Sequence, residues 1–119
     1  MREIVFYQTQ AGRCPVQEYL ATLSPKQVRR IWDVLDGVRT LERLPAAYLK
    51  KLVDTDGLWE VRVSAGRDAF RLLCFFDGLN VVVVLTGFAK KTPKTPRLEI
   101  QVAHQRRRDY LNRKQSNGG

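Results

Sequence analysis

Alternating apolar and polar side chains predict three consecutive strands in the second half of the chain. In residues 59–63 the odd-numbered side chains are apolar, whereas Glu60 and Arg62 share the opposite face of the predicted strand. Residues 70–76 are predicted to form the return strand. The continuous apolar run at residues 81–86 is typical of a strand that is covered on both faces. The pattern therefore predicts a three-strand meander with one partly charged face.

A long amphipathic helix is predicted to begin at Pro25. Ser24 at the N-cap, Pro25 at the first helical position and Gln27 at the third are a typical helix start. Pro45 predicts that the helix ends by Leu44, because proline disfavours helical geometry in the residue before it. A helix of about 20 residues would span roughly 30 Å and cover one face of a small sheet. Its apolar stripe, predicted to be core, consists of Val28, Ile31, Trp32, Leu35, Val38 and Leu41.

The remaining elements follow from shorter patterns. Residues 3–9 are predicted to form a first strand, and Pro15 is predicted to begin a short helix. Residues 45–57 are predicted to be a connector with a short extended piece at its end, and residues 87–96 a loop because of one glycine and two prolines. A helical pattern resumes at Leu98. We therefore predict an α+β fold of the order β-α-α-β-β-β-α, in which a small, mostly antiparallel sheet is backed by the long helix.

Length and charge limit the number of domains and the kinds of partner that the chain can have. The 119 residues fit a single domain, predicted to comprise residues 1–114 with residues 115–119 as a frayed tail. The formal net charge of +9 favours a polyanionic partner. Residues 90–114 alone hold nine basic and two acidic residues, so the excess lies in the last quarter of the chain. A solubilising surface, or a tail that binds membrane lipid, explains this charge equally well.

The sequence has few residues typical of metal sites, and it lacks the patterns of signal peptides and membrane spans. Cys14 and Cys74 are too few for a tetrahedral metal site, and Cys74 falls in an apolar strand pattern, where a free thiol packs as a small hydrophobe. The first ten residues lack the apolar segment of a signal peptide, and the apolar run near residue 83 is too short to span a bilayer. We therefore expect a cytoplasmic protein with no metal, no cofactor and no membrane contact.

A set of short motifs is spread over nearly the whole chain. The combination of an L-W-E-x-R strand, an aromatic-Arg pair and a G-F-x-K-K-T-x-K-T-P loop is specific, whereas each motif alone is weak. The residues that make up the set are Gly12, Pro15, Val16, Tyr19, Leu20, Lys51, Leu52, Leu58 to Arg62, Phe70, Arg71, Leu85 to Phe88 and Lys90 to Pro96. On these residues the chain resembles the RelE/ParE superfamily of bacterial toxins, and its second half resembles the phage-derived, HigB-like branch.

The resemblance implies a RelE-like fold and the toxin of a type II toxin–antitoxin system. Such a toxin is a metal-independent, ribosome-dependent endoribonuclease that cleaves mRNA in the decoding site and so inhibits translation. The implied partners are mRNA on the ribosome and a cognate antitoxin, often a helix-turn-helix protein.

Convergent cations are the chemistry that the residues themselves offer. Cleavage of RNA without a metal needs a deprotonated ribose 2′-hydroxyl, stabilised charge on the phosphate and a protonated leaving 5′ oxygen, and cations can supply the second of these. Arginines on adjacent strands suit bidentate contacts to phosphate oxygens. The predicted catalytic residues are Arg71, Arg62, Lys90, Lys91 and Glu60. The predicted RNA-binding residues are Lys50, Lys51, Lys94, Arg97, Arg106 and Arg107.

Two roles stay open at this stage. Glu60 stands where RelE has a lysine, and it is either the general base or the ion-pair partner of Arg62 or Arg71. His104 is the sole histidine and has a suitable pKa for acid or base catalysis near pH 7. Its place on the last helix equally suits a surface or packing role.

Two other functions compete with RNA cleavage. A protein of the ParE type inhibits a topoisomerase by contact and performs no hydrolysis. A plain nucleic-acid-binding module would bind RNA in a salt-dependent way without cutting it.

Overall fold

The computed structural model describes residues 1–40 and 43–118 of the chain, and it places five strands in one sheet with helices on both faces. Leu41 of the predicted apolar stripe and Gly119 of the predicted tail lie outside the described residues. The elements in chain order are β1 (Glu3–Phe6), α1 (Pro15–Leu20), α2 (Pro25–Thr40), β2 (Leu49–Lys51), β3 (Trp59–Ala65), β4 (Asp68–Asp77), β5 (Val81–Ala89) and α3 (Arg97–Gly118).

The sheet confirms the predicted α+β class. Its strand order is β1-β5-β4-β3-β2; β1 pairs with β5 in parallel and every other pairing is antiparallel. The strand β2 is an addition to the prediction, since it lies in the middle of the segment 45–57 and not at its end. This strand has three residues, which pair with residues 59–61 of β3, and they are too few to show an alternating pattern in the sequence.

One face of the sheet packs against α1 and α2. The buried side chains of α2 are Ile31, Val34, Leu35 and Val38, and they meet the apolar face of β3, β4 and β5. The prediction that Trp32 belongs to the core is wrong, because its side chain is 38% exposed and stacks on Phe6 with ring centroids 5.5 Å apart. A helix turns 100° per residue, so Trp32 follows Ile31 to the margin of the stripe and meets the edge strand.

The other face of the sheet packs against α3. Leu58, Leu73, Phe75 and Val83 form a second buried cluster with Ala103 of this helix. Tyrosine hydroxyls help to fix the helix, because that of Tyr7 donates to Asp109 at 2.5 Å and that of Tyr110 donates to Asp77 at 2.9 Å. The sheet therefore has helices on both sides, and Glu60, Arg62 and Arg71 lie on this second face.

The strand β5 extends through Gly87 to Ala89, which corrects the prediction of a loop from residue 87. Gly87 pairs with Leu72, and a Cβ atom at position 87 would lie 2.7 Å from Cδ2 of Leu72 and 3.1 Å from Cδ2 of Tyr19. The glycine therefore allows Tyr19 to pack closely on the sheet and does not interrupt the strand.

The helices differ from their predicted lengths at their ends. The structure gives α2 as 16 residues instead of about 20, and residues 43 and 44 are not helical, in keeping with an end by Leu44. The helix α3 continues to Gly118. Fraying of residues 115–118 in solution stays a prediction. None of the described helices combines the length and the apolar character needed to cross a bilayer.

Candidate active site

Arg62 and Arg71 are direct cross-strand partners on β3 and β4, so both side chains project from the same face of the sheet. Like charges placed opposite each other in this way repel. Glu60 lies two residues before Arg62 on the same face and supplies the opposite charge. Its Oε1 atom lies 3.1 Å from Nε of Arg62 and 3.6 Å from Nε of Arg71. One carboxylate oxygen thus bridges two guanidinium groups.

The loop between β5 and α3 closes over these three side chains. We call residues 90–96 the lysine loop, and we call the cavity between this loop, Glu60, Arg62, Arg71 and Phe88 the arginine pocket. The cavity has a volume of about 20 Å³. A single water needs about 10 to 15 Å³ of such volume. The arginine pocket therefore has room for one water or so in this conformation.

Thr95 ties the lysine loop to the sheet. Its hydroxyl donates a short hydrogen bond of 2.5 Å to Oε2 of Glu60, at the lower end of the range for a hydroxyl on a carboxylate. Glu60 therefore has a partner on each oxygen, and its side chain is only 4% exposed. A carboxylate that is buried and occupied in this way cannot reach a ribose hydroxyl unless Thr95 moves.

Positive charge dominates the arginine pocket. Five cationic side chains line it, and Glu60 is the one carboxylate that does so among the described residues. Burial lowers the pKa of Arg71 and the nearby charge of Arg62 acts in the same direction, whereas Glu60 raises it. Lys90, Lys91 and Lys94 are exposed. Within the described part of the chain, no carboxylate lies within 4.0 Å of these three ammonium groups.

The five residues predicted to be catalytic all line the arginine pocket, and Lys94 of the predicted RNA-binding set joins them. Lys50 is the cross-strand partner of Glu60, which puts it on the same face at the β2 margin of the site. Arg97 is exposed at the start of α3, directly after the lysine loop. Lys51 pairs with Trp59 and so lies on the opposite face of the sheet. The catalytic and RNA-binding roles of these residues stay predictions.

Arg106 and Arg107 lie outside the arginine pocket and hold α3 in place. Arg106 donates a hydrogen bond of 2.8 Å to the carbonyl oxygen of Leu85, and burial lowers its pKa. Arg107 donates to the carbonyl oxygen of Asp56 at 2.7 Å. Because these guanidinium groups bind the protein's own backbone, they have fewer free donors for RNA.

His104 contacts Arg107 and is not among the residues that line the arginine pocket. Its Nδ1 atom lies 3.0 Å from a terminal nitrogen of Arg107, so Nδ1 accepts the hydrogen bond and the proton of the neutral ring sits on Nε2. Burial lowers the pKa of His104, and the charges of Arg107 and Arg108 lower it further. This arrangement favours a packing role, and the role of His104 stays a prediction.

Thr95 and Phe88 are residues of the site to which the sequence assigned no role. Phe88 is the cross-strand partner of Arg71 and lines the arginine pocket. Both belong to the G-F-x-K-K-T-x-K-T-P motif, which is the sequence signal that could have identified them as residues of the site. In the part of the chain that the structure describes, no three His, Cys, Asp or Glu side chains lie together as metal ligands would.

The comparisons with known proteins give one family. A family model described as phage derived protein Gp49-like (DUF891) matches residues 18–108, a segment that includes the arginine pocket and the lysine loop. No curated protein sequence matches the chain closely enough to indicate a relationship. This family is related to the RelE-type toxins, so the broad resemblance is confirmed, and the assignment to the HigB-like branch stays a prediction.

Proposed function

The chain belongs to the phage derived protein Gp49-like family, and from this premise we propose that it is the toxin of a type II toxin–antitoxin pair that cleaves mRNA on the ribosome. The observation that carries the proposal is the arginine pocket. A pair of arginines and three lysines converge on one small cavity, which suits a phosphodiester better than any neutral ligand.

The proposed reaction is an in-line displacement at phosphorus. The ribose 2′ oxygen forms a bond to phosphorus while the bond to the 5′ oxygen breaks, which leaves a 2′,3′-cyclic phosphate and a free 5′-hydroxyl. Arg62 and Arg71 are proposed to stabilise the negative charge that develops on the nonbridging oxygens. An ammonium group of the lysine loop is proposed to give its proton to the leaving 5′ oxygen.

Glu60 is proposed to be the counter-ion of the two arginines. Its bridging contacts at 3.1 and 3.6 Å and its burial support this role over that of a general base. The 2′ proton would then pass to water or to the amine form of a loop lysine. Metal independence is part of the proposal, because the guanidinium and ammonium groups supply the charge that a metal ion would otherwise bring.

Dependence on the ribosome is also part of the proposal. A cavity of about 20 Å³ offers no groove that would orient a free RNA strand for in-line attack. An mRNA held in the decoding site is already positioned, and the toxin has only to add its cations. The proposed setting is therefore the cytoplasm, with mRNA on the ribosome as substrate and a cognate antitoxin, of the helix-turn-helix type, as inhibitor.

The test is induced expression in bacterial cells followed by mapping of transcript 5′ ends. We expect cuts at codon spacing in translated mRNA, and Arg71→Ala should lower their frequency by about 10²- to 10³-fold, as removal of a preorganised donor does. Arg39→Ala is the matched control, since Arg39 is exposed and pairs with Asp36 on α2, away from the site. Growth arrest with intact mRNA and damaged DNA would instead indicate a ParE-like topoisomerase inhibitor.

A reconstituted translation reaction separates the finer parts of the proposal. Cleavage should require ribosomes and should persist in excess EDTA once the ribosomes are stabilised by other cations. RNA binding without any cleavage would indicate the plain binding module. The logarithm of its binding constant should then fall with the logarithm of the salt concentration, at a slope of about 0.7 per phosphate neutralised on a single strand.

A further inference from the structure

We propose that Thr95 is a positioning residue that holds the lysine loop over the two arginines through Glu60, an inference that rests on the proposed function. The hydrogen bond from Thr95 to Glu60 joins the loop to the one side chain that already orders Arg62 and Arg71. The positions of the loop ammonium groups and of the two guanidinium groups are therefore coupled through a single carboxylate.

The contacts of the lysine loop single out Thr95. At the start of the loop the amide of Lys90 donates to the carbonyl oxygen of Ala69 at 2.8 Å, which continues the ladder between β4 and β5. The hydroxyl of Thr92 donates to the carbonyl oxygen of Lys94 and so stays within the loop. Among the described residues, Thr95 is the loop side chain that donates a hydrogen bond to a side chain of the sheet.

The size of the arginine pocket adds a requirement for movement. A phosphodiester has four oxygens around its phosphorus, whereas a cavity of about 20 Å³ accepts little more than one water. The loop must therefore lift before a phosphate can enter the pocket and contact Arg71, whose side chain is only 11% exposed. Thr95 sets both the resting position of the loop and the position to which the lysines return above the bound phosphate.

The closing experiment compares Thr95→Val, Thr95→Ser and Thr92→Val in the full chain. Hydrogen–deuterium exchange at the amides of Lys90 and Glu99, which donate hydrogen bonds at the two ends of the loop, reports on the loop without any RNA. Thr95→Val should speed exchange there by about 10-fold or more, because a hydroxyl bond to a carboxylate is lost. Thr95→Ser should restore the slow exchange, and Thr92→Val should leave the tie to the sheet intact.

Kinetics supply a second readout in the ribosome-dependent reaction. Thr95→Val should lower kcat by about 10-fold, since displaced lysines meet the leaving oxygen less often, with KM changed by less than about 3-fold. Unchanged exchange in Thr95→Val, or equal effects of Thr92→Val, would overturn the proposal. If the wild-type chain shows no cleavage while exchange follows Thr95, the nuclease function fails and the positioning of the loop by Thr95 stands.

Discussion

Arg62 and Arg71 face each other directly across β3 and β4, and the Oε1 atom of Glu60 lies within 3.6 Å of the Nε atoms of both. Without the carboxylate of Glu60, two like charges in this register would repel each other. The carboxylate therefore stabilises the folded sheet and at the same time occupies the arginines that are proposed to bind a phosphate. Folding and substrate binding compete for the same pair of guanidinium groups.

The first prediction concerns stability. Glu60→Gln should lower the free energy of unfolding by about 2 kcal/mol, because it leaves two guanidinium groups opposed with no counter-charge; the partial exposure of Arg62 keeps the loss below that of a fully buried pair. Urea denaturation followed by circular dichroism measures it. Glu18→Gln is the control, since Glu18 pairs with Arg13 on an exposed surface and should cost much less. Equal losses in the two variants would contradict the bridging role.

The second prediction separates the two roles of Glu60. If Glu60 is a counter-ion that competes with phosphate, Glu60→Gln should bind a noncleavable RNA about 5-fold more tightly or better. This RNA carries a 2′-deoxy group at the cleaved position. If Glu60 is a general base, its loss should leave binding unchanged and lower kcat by about 10²- to 10⁴-fold. Fluorescence anisotropy with the labelled RNA and single-turnover cleavage distinguish the two outcomes.

The sequence predicted which residues would lie together in the arginine pocket better than it predicted the boundaries of the elements. The alternation in residues 59–63 places Glu60 and Arg62 on one face of β3, because successive side chains of a regular strand point to opposite faces. That Arg71 lies directly opposite Arg62 depends on the register of the pairing. The short turn between β3 and β4 fixes this register, so it was within reach of the sequence.

The failures have physical causes outside the local pattern. Gly87 reads as a strand breaker, yet Tyr19, which is 68 positions earlier, needs the space that the missing Cβ leaves. Trp32 reads as core, yet it is partly exposed and stacks on Phe6 of the edge strand β1. Thr95 reads as a loop residue, and its bond to Glu60 exists only because the chain returns across the sheet. Each depends on a contact between distant segments.

The third prediction tests the close approach at Gly87. Gly87→Ala should destabilise the fold by about 1 to 3 kcal/mol, because the added Cβ would lie 2.7 Å from Cδ2 of the fully buried Leu72. A double-mutant cycle with Leu72→Val, which removes that methyl group, should show favourable coupling. Thermal unfolding of the wild-type chain and the three variants measures it. Additive losses would mean that the contact with Leu72 is not the cause.

The fourth prediction concerns pH and His104. Burial and the charges of Arg107 and Arg108 lower its pKa in the folded chain, partly offset by Asp56. As the pH falls below the ordinary value of about 6.5, the unfolded chain therefore binds a proton that the folded chain does not. The free energy of unfolding should be insensitive to His104 above that pH and should decrease below it, as the pH falls towards the lowered pKa.

His104→Gln is the matched variant for this effect, because glutamine keeps an acceptor for Arg107 and does not titrate. Urea denaturation between pH 7.5 and 5.5 should show a decline in the wild-type chain that the variant lacks. His104 is the sole histidine in the sequence, so no second imidazole contributes in this range. Parallel curves for the two proteins would mean that the folded environment does not disfavour the imidazolium.

The fifth prediction uses the two cysteines as reporters of unfolding. Cys74 is fully buried on β4, and burial raises the pKa of its thiol to about 12, so it has almost no thiolate at neutral pH. Cys14, before α1, is partly exposed. A thiol reagent such as DTNB should therefore modify Cys14 quickly and Cys74 only through unfolding, at least about 10³-fold more slowly.

In Cys14→Ser only the slow phase should remain, and its rate should rise in Gly87→Ala, which weakens the strand paired with β4. A fast reaction of Cys74 in the folded Cys14→Ser chain would show that β4 opens locally, and Arg71, on the same strand, would then not be held rigidly against Glu60.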